Sequence, residues 1–514
     1  MGIAAVYFAT RLSFIARFPY FVDEGNYAQY IYQGSHPPYD LFMSMTIGKE
    51  PMQAWLGILL VELGFNSLTA VRLVSVFSGL ATVGIVGLLG WRMGGVAVGL
   101  AAAALSVVLP FFFVNDGIGI VEPLVTLIIA SALYVQIQLA RRPDLRRALL
   151  LGLILACGYL TKQSTLPALA LIPVSLVCFD WSPDGRRQRV VLWLLGIVLV
   201  LVMVAGADLL LRTFPHYKEF LAVRKSGAGN YPVRSLTAVL AHPFAGWSQS
   251  WSVYRPALES YVTFPLMASA VVGAAVGLRH WPRLTTVLLV WLVVPFIVAL
   301  LFTESPFPRN VIYVMPPAIV LMAYAFVEGG RWALRVIPHN TAVVTAAATT
   351  IALLLPALRF DAGVLAHPAT IRYPSLDDWQ YVTGVPAGSP WPGLADAIRR
   401  FAAGQRVVVA APVSVIYENR FDPVIPELLL DNNPRYVFVE SSSPLAREAT
   451  LAVTDSARPL GADVQSLRVI SQRRPVLIAQ FARPRSPDPG TTPSASHQAQ
   501  TVRLYELGRQ TIPH

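Results

Sequence analysis

The chain has 514 residues, of which 55% are hydrophobic and 13% charged, and a formal net charge of +11. That apolar content excludes a soluble globular protein, and several apolar runs reach the roughly 20 residues that a helix needs to cross a bilayer. The arginines cluster beside those runs, so they read as membrane orientation and exclude a nucleic-acid partner.

In chain order, residues 1–18 (MGIAAVYFATRLSFIARF) come first, short for a spanning helix and interrupted by Arg11, whose charge is expected to snorkel to the surface. No cleavage site is recognisable, so this run reads as a retained first helix. A polar stretch with the adjacent carboxylates Asp23 and Glu24 follows. The 14-residue apolar run at 51–64 is too short to span comfortably and suits a helix lying near the interface. Spanning segments are then expected over 70–91, 95–114, 120–140, 148–161, 165–180, 189–211, 261–278, 284–302, 310–328 and 334–356. With the first run these make about eleven crossings.

Loop charges support that count. It puts Arg92, RRPDLRR (141–147), DGRRQR (184–189), RHWPR (279–283) and GGRWALR (329–335) on one side, the positive-inside pattern. Residues 19–69, 115–119, 212–260 and 303–309 then lie outside. The organisation expected is a polytopic α-helical membrane domain over 1–358 and an extracytoplasmic α/β domain over 359–514, in an integral plasma-membrane protein. In the second domain RVVVAAP (406–412), RYVFVE (435–440), PVLIAQF (475–481) and VRLYEL (502–507) read as strands, and GLADAIRRFAAG (393–404) as a helix. Residues 484–501 are rich in Pro, Ser and Thr and read as a loop. No glycine-rich phosphate loop follows a strand. Cys157 and Cys178 fall in apolar segments, as core or lipid contacts, and no Cys/His metal cluster is evident.

The outer face gathers the candidate chemistry. Asp23 and Glu24 are neighbours, so they point different ways in a helix or a strand and need not share a task. They read either as a solvated helix N-terminus or as one residue facing a cavity while the other holds the loop or a metal. Lys49, in GKEPMQAW, reads as a headgroup anchor or as a cation that holds phosphate and orients a carboxylate. Glu122 opens an apolar helix beside Pro123, where capping alone would explain it; a metal ligand or supporting partner is the alternative. Lys218, Arg224, Lys225 and Arg234 flank a glycine-containing stretch, and Arg309 begins a membrane helix. Such arginines bind anionic lipid headgroups, and equally a lipid phosphate held at the interface.

These elements, in order, resemble the GT-C class of membrane glycosyltransferases, in particular the protein O-mannosyltransferase and aminoarabinose transferase family. RFPYFVDEGNYAQY is similar to that family's first outer loop with its paired Asp-Glu, and KEPMQAWLGILL to its KPP-containing segment. VRLVSVFSGLATVGIVGLLGWRMGG (71–95), LPFFFVNDGIGIVEP (109–123), GLILACGYLTKQSTLPAL (152–169) and PRNVIYVMPP (308–317) follow in the family's order. Glu50 stands where the family usually has proline and Asn310 where it often has tyrosine, which leaves donor sugar and acceptor open.

The resemblance implies a GT-C fold and an inverting transfer of a sugar from a polyprenyl-phosphate carrier to an extracytoplasmic acceptor. It makes Asp23 the general base and nominates Glu24, Lys49 and Glu122 as further catalytic residues, with Arg309, Arg224, Lys225 and Arg234 binding substrate. A divalent metal ion held by Asp23 and Glu122 is an open alternative, and no other cofactor is implied. Membrane lipids are the other expected partner. A lipid-linked sugar transporter and a membrane assembly protein are the competing functions.

Overall fold

The computed structural model describes residues 2–225, 234–384, 387–411, 428–440, 447–455, 475–482 and 501–507. Among them, six helices are long and apolar enough to cross a membrane: Ser67–Gly94, Glu122–Arg141, Arg186–Thr213, Pro282–Phe302, Pro308–Val336 and His339–Ala366. The other expected crossings fall on shorter elements. These are Gly2–Arg17, Val96–Val108 with Pro110–Asn115, Leu145–Thr161, the broken helical stretch Gln163–Cys178, and Phe264–His280. At 1.5 Å per residue, a helix of 16 or 17 residues falls several ångströms short of a 30 Å hydrocarbon core. Length alone therefore accounts for six crossings, or seven if Phe264–His280 is joined to Trp247–Tyr261, which meets it at 91°.

The short apolar run at 51–64 forms the 11-residue helix Met52–Glu62, in keeping with its expected length. It packs on Val22–Ser35, the helix that carries Asp23.

Arg11 departs from expectation. It is fully buried, lies over the rings of Tyr7 and Phe113, and approaches Asp116 Oδ2 at 3.8 Å. Tyr7 Oη also donates to that carboxylate, at 3.1 Å. A carboxylate supplied by the loop after Pro110–Asn115 compensates the charge inside the bundle, so the side chain has no need to reach the surface.

The C-terminal region is built on a five-stranded sheet: β1 Val407–Ala411, β2 Tyr436–Glu440, β3 Leu451–Asp455, β4 Val476–Ala482 and β5 Thr501–Glu506. The order is β2-β1-β3-β5-β4, with β1 parallel to both neighbours and β5 antiparallel to β3 and β4. β1 is buried throughout because it is central and both faces are covered. Trp391–Ala402 packs one apolar face, including Leu394 and Ile398, against the sheet. The four expected strands and the helix are present within a residue or two. β3, LAVTD, was not expected, being five residues long without a strong apolar run. Most of 484–501 lies outside the described residues.

Candidate active site

The acidic pair divides between two environments three residues into a helix. Val22–Ser35 begins after Phe21, and Glu24 is its third residue. Glu24 turns inward and is fully buried. Its Oε2 accepts from the Phe21 backbone N–H at 3.1 Å, which caps the helix start. Its Oε1 accepts from the Gly119 N–H at 2.8 Å. Arg72, on Ser67–Gly94, donates to both oxygens, through Nε and through Nη2, the latter at 2.9 Å.

The remaining Arg72 donors go to the carbonyls of Ile15, Phe18 and Pro19, so all five guanidinium N–H groups are used. Glu24 thus clamps the loop after the first helix to the loop before Glu122, and its four acceptor contacts leave no lone pair for a metal. A Cβ at residue 119 would meet Val71 at 2.6 Å and Glu24 at 2.8 Å, which is why glycine stands there. Glu24, nominated as a catalytic residue, is not among the residues that line the cleft faced by Asp23; it holds the loops beside that cleft.

Asp23, about 100° round the helix, faces away from Glu24 into a small cleft. Its side chain is 40% exposed. Asn26, Tyr27 and Tyr30 from the same helix face line the cleft, together with Lys49, Glu122, Lys162 and Arg309. Arg309 is 2% exposed and sits in the short helical turn Pro308–Val314 that leads into a membrane helix. Its Nη2 donates to Asp23 Oδ2 at 2.7 Å and its Nη1 to Gln380 Oε1 at 3.0 Å, while Nε stands 3.8 Å from Glu122 Oε1. Lys162, just past the end of Leu145–Thr161, donates Nζ to Glu122 Oε1 at 3.0 Å.

The cleft therefore carries three cations, Lys49, Lys162 and Arg309, against two carboxylates, Asp23 and Glu122. Burial pushes the Lys49 ammonium below its ordinary pKa, and the nearby Asp23 carboxylate partly offsets this. The net positive charge suits an anion such as a phosphate.

The residues expected on the basic outer loop are not in the cleft lining. Arg224, the penultimate residue of Tyr217–Lys225, donates Nη1 to Glu50 at 3.1 Å. Glu50 is buried and also receives the Gln163 N–H at 3.3 Å; burial raises its pKa, and Arg224 opposes that rise. Lys225 is exposed at the helix end. The Arg234 guanidinium lies against Gly246, while its backbone N–H bonds to the Phe302 carbonyl at 2.9 Å. Arg224 thus serves as a clip between its helix and the loop that carries Glu50.

Comparison with known proteins follows this geometry. Residues 48–207 match the family described as dolichyl-phosphate-mannose-protein mannosyltransferase. The full structure is similar to ArnT from Cupriavidus metallidurans in the apo state, at 15% identity, 98% coverage of this chain, 96% of that chain and a TM-score of 0.57. It is similar also to ArnT from Cupriavidus metallidurans bound to undecaprenyl phosphate, at 15% identity, coverages of 98% and 97% and a TM-score of 0.59. The chain has the fold of these ArnT membrane proteins. A third likeness is to the archaeal oligosaccharyltransferase AglB from Archaeoglobus fulgidus, in complex with an inhibitory peptide and a dolichol-phosphate, at 12% identity, coverages of 100% and 75% and a TM-score of 0.50. No curated protein sequence matches the chain.

The family match covers Lys49, Arg72, Glu122 and Lys162 of this chain but neither Asp23, Arg309 nor Gln380. Arg72 and Lys162 had a readable signal, since each is a charge at one end of an apolar run. Gln380 had none. It lies in SLDDWQY, after the last membrane helix, in a stretch that reads as an ordinary connection.

Proposed function

We propose that this protein is a glycosyltransferase that moves a sugar from a polyprenyl-phosphate carrier to a hydroxyl, on a protein or a lipid, at the extracytoplasmic face, inverting the anomeric centre with Asp23 as general base. The observation that carries the reading is the Arg309 guanidinium, which joins Asp23 to a cleft with net positive charge.

The acceptor oxygen attacks the anomeric carbon, the bond from that carbon to the phosphate oxygen breaks, and Asp23 takes the hydroxyl proton. The released lipid phosphate gains a negative charge relative to the diester, so fixed cations around it stabilise the transition state more than the bound donor. Arg309, Lys49 and Lys162 fill that role. Glu122 holds Lys162 in place and balances Arg309. ArnT and AglB in their lipid-bound forms carry undecaprenyl phosphate and dolichol-phosphate, which supports the same class of carrier here.

A divalent ion between Asp23 and Glu122 does not fit this arrangement. Arg309 stands between the two carboxylates and supplies the positive charge itself, and among the described residues no group of three or more His, Cys, Asp or Glu side chains gathers to hold a metal.

The orientation is supported by the helices that build the cleft. Glu122 and Arg309 lie at the start of their membrane helices, whose far ends carry Arg141 and Arg335. Lys162 follows the end of a helix whose first turn holds Arg146 and Arg147. The positive-inside rule then puts the arginine ends in the cytoplasm and the cleft outside. Cysteine labelling in intact cells that reached residues 141–147 and excluded residues 20–50 would reverse this orientation.

The direct test of the function is turnover by purified protein in lipid vesicles with a panel of polyprenyl-phosphate sugars and peptide and lipid acceptors, read by mass spectrometry. A mass increase of one hexose or pentose on an acceptor is expected with one donor. No transfer from any lipid-linked donor, with folded protein, would sink the reading.

A further inference from the structure

The Asp23–Arg309 pair is braced from outside its own helices. Ser375–Asp378 and Trp379–Thr383 lead from the last membrane helix towards the sheet domain. Gln380 on this segment is 4% exposed and accepts Nη1 of Arg309. Further on, Ala387 forms an isolated antiparallel bridge with Phe21, and the Gly388 N–H donates to the Tyr20 carbonyl at 2.6 Å. Tyr20 and Phe21 immediately precede the helix that presents Asp23. The same stretch of chain therefore touches both sides of the pair. A Cβ at residue 388 would lie 2.5 Å from the Tyr20 carbonyl oxygen, so this approach requires glycine. Asp377, 1% exposed, accepts from Tyr261 Oη at 2.6 Å and fastens the stretch to the helix Trp247–Tyr261.

The chemistry of the acceptor on Arg309 is informative. An arginine side chain turns about several bonds, so a charge meant to meet a phosphate needs a second point of attachment. Asp23 supplies one, and together with Glu122, whose Oε1 stands 3.8 Å from Nε, it offsets part of the charge; a third carboxylate would remove more. The amide oxygen of Gln380 fixes the guanidinium plane and leaves its charge intact.

We propose that Gln380 is a positioning residue for Arg309, and that the stretch carrying Asp377, Gln380, Ala387 and Gly388 couples the sheet domain to the reacting pair. This rests on the reading of Asp23 and Arg309 as the reacting site. It gives the C-terminal domain a role in catalysis: its first residues set the distance between the base and the phosphate-binding cation.

The test compares full-length wild type, Gln380→Leu and Gln380→Glu in vesicles, using the donor that wild type turns over and, for binding, undecaprenyl phosphate. Leucine keeps the volume and removes the acceptor. It should lower kcat by about 10- to 100-fold, the scale of an ångström-sized misplacement, with a smaller change in donor KM. Glutamate keeps an acceptor and adds a negative charge, so it should spare kcat more than leucine does while raising donor KM and weakening undecaprenyl phosphate binding.

Thermal unfolding is recorded for all three. Folded Gln380→Leu at the wild-type rate overturns the proposal, as do equal kcat losses in both variants. Losses of rate that follow the folded fraction in proportion also overturn it, in favour of simple scaffolding. Wild type that neither transfers sugar nor binds undecaprenyl phosphate overturns the function and this inference together. Wild-type transfer with an unaffected leucine variant overturns this inference alone.

Discussion

Two arginine–carboxylate pairs stand one residue apart in the sequence and differ in what surrounds them. Glu24 and Arg72 are sealed: their side chains are 0% and 3% exposed, and every donor and acceptor between them is used. Asp23 and Arg309 are open on one side, with the aspartate 40% exposed and the arginine 3%. A sealed pair has no route to a substrate and can only hold structure. An open pair, with its buried cation fixed and its carboxylate at the lip of a cleft, can meet a substrate without first breaking the fold. The Arg11–Asp116 pair, at 0% and 3%, belongs with the sealed kind. Exposure of the carboxylate separates the two kinds more sharply than distance does.

The comparison breaks first, and by the largest amount, at Asp23. Asp23→Asn should lower the chemical step by roughly 10²–10⁴-fold while lowering the folded fraction far less than Glu24→Gln does, because the side chain is 40% exposed and an amide oxygen there can still accept from Arg309. Single-turnover transfer by purified variant, with donor binding measured separately, checks this. A variant that binds donor and transfers at the wild-type rate removes Asp23 as the base.

Glu24→Gln should do the reverse. The amide would set donors against the Phe21 N–H or Arg72, and opening a buried ion pair costs roughly 3–5 kcal/mol. The expected result is a large fall in folded protein or unfolding temperature, with activity per folded molecule much less affected than in Asp23→Asn. If Glu24→Gln unfolds at the wild-type temperature yet abolishes chemistry, the division between a sealed and an open residue is wrong.

The smallest effect sharpens the open side. Burial disfavours the charged form of Lys49, so its folded pKa is lowered. A neutral Lys49 cannot stabilise a departing phosphate, so turnover should fall as pH rises through that lowered value, below the range of an ordinary lysine. Lys49→Arg stays charged throughout and should move this alkaline limb upward while slightly lowering the maximum rate, because a planar fork replaces a point charge. A pH–rate profile with the same alkaline limb in both proteins would exclude Lys49 from the phosphate site.

Much of the fold was legible in the sequence for a simple reason. Bilayer-length apolar runs and arginine-rich loops are local signals, set by the cost of burying backbone and charge in hydrocarbon, and they fixed the membrane class, the segment order and the orientation proposed here. Alternating apolar strands and an amphipathic helix likewise announced the C-terminal sheet, except for β3, whose five residues carry little signal alone. Asp23, Lys49, Glu122 and Arg309 were nominated as charges at the outer ends of apolar segments, and they share one cleft.

Partnership was decided only by the tertiary structure. Which of two adjacent carboxylates faces the cleft depends on the rotation of one helix, and that rotation is set by Arg72 some 48 positions away. Arg224 turns to Glu50 across 174 positions and Arg309 to Gln380 across 71. A charge's role follows from whichever opposite charge or acceptor the packing brings within about 3 Å, and sequence spacing carries no record of that distance.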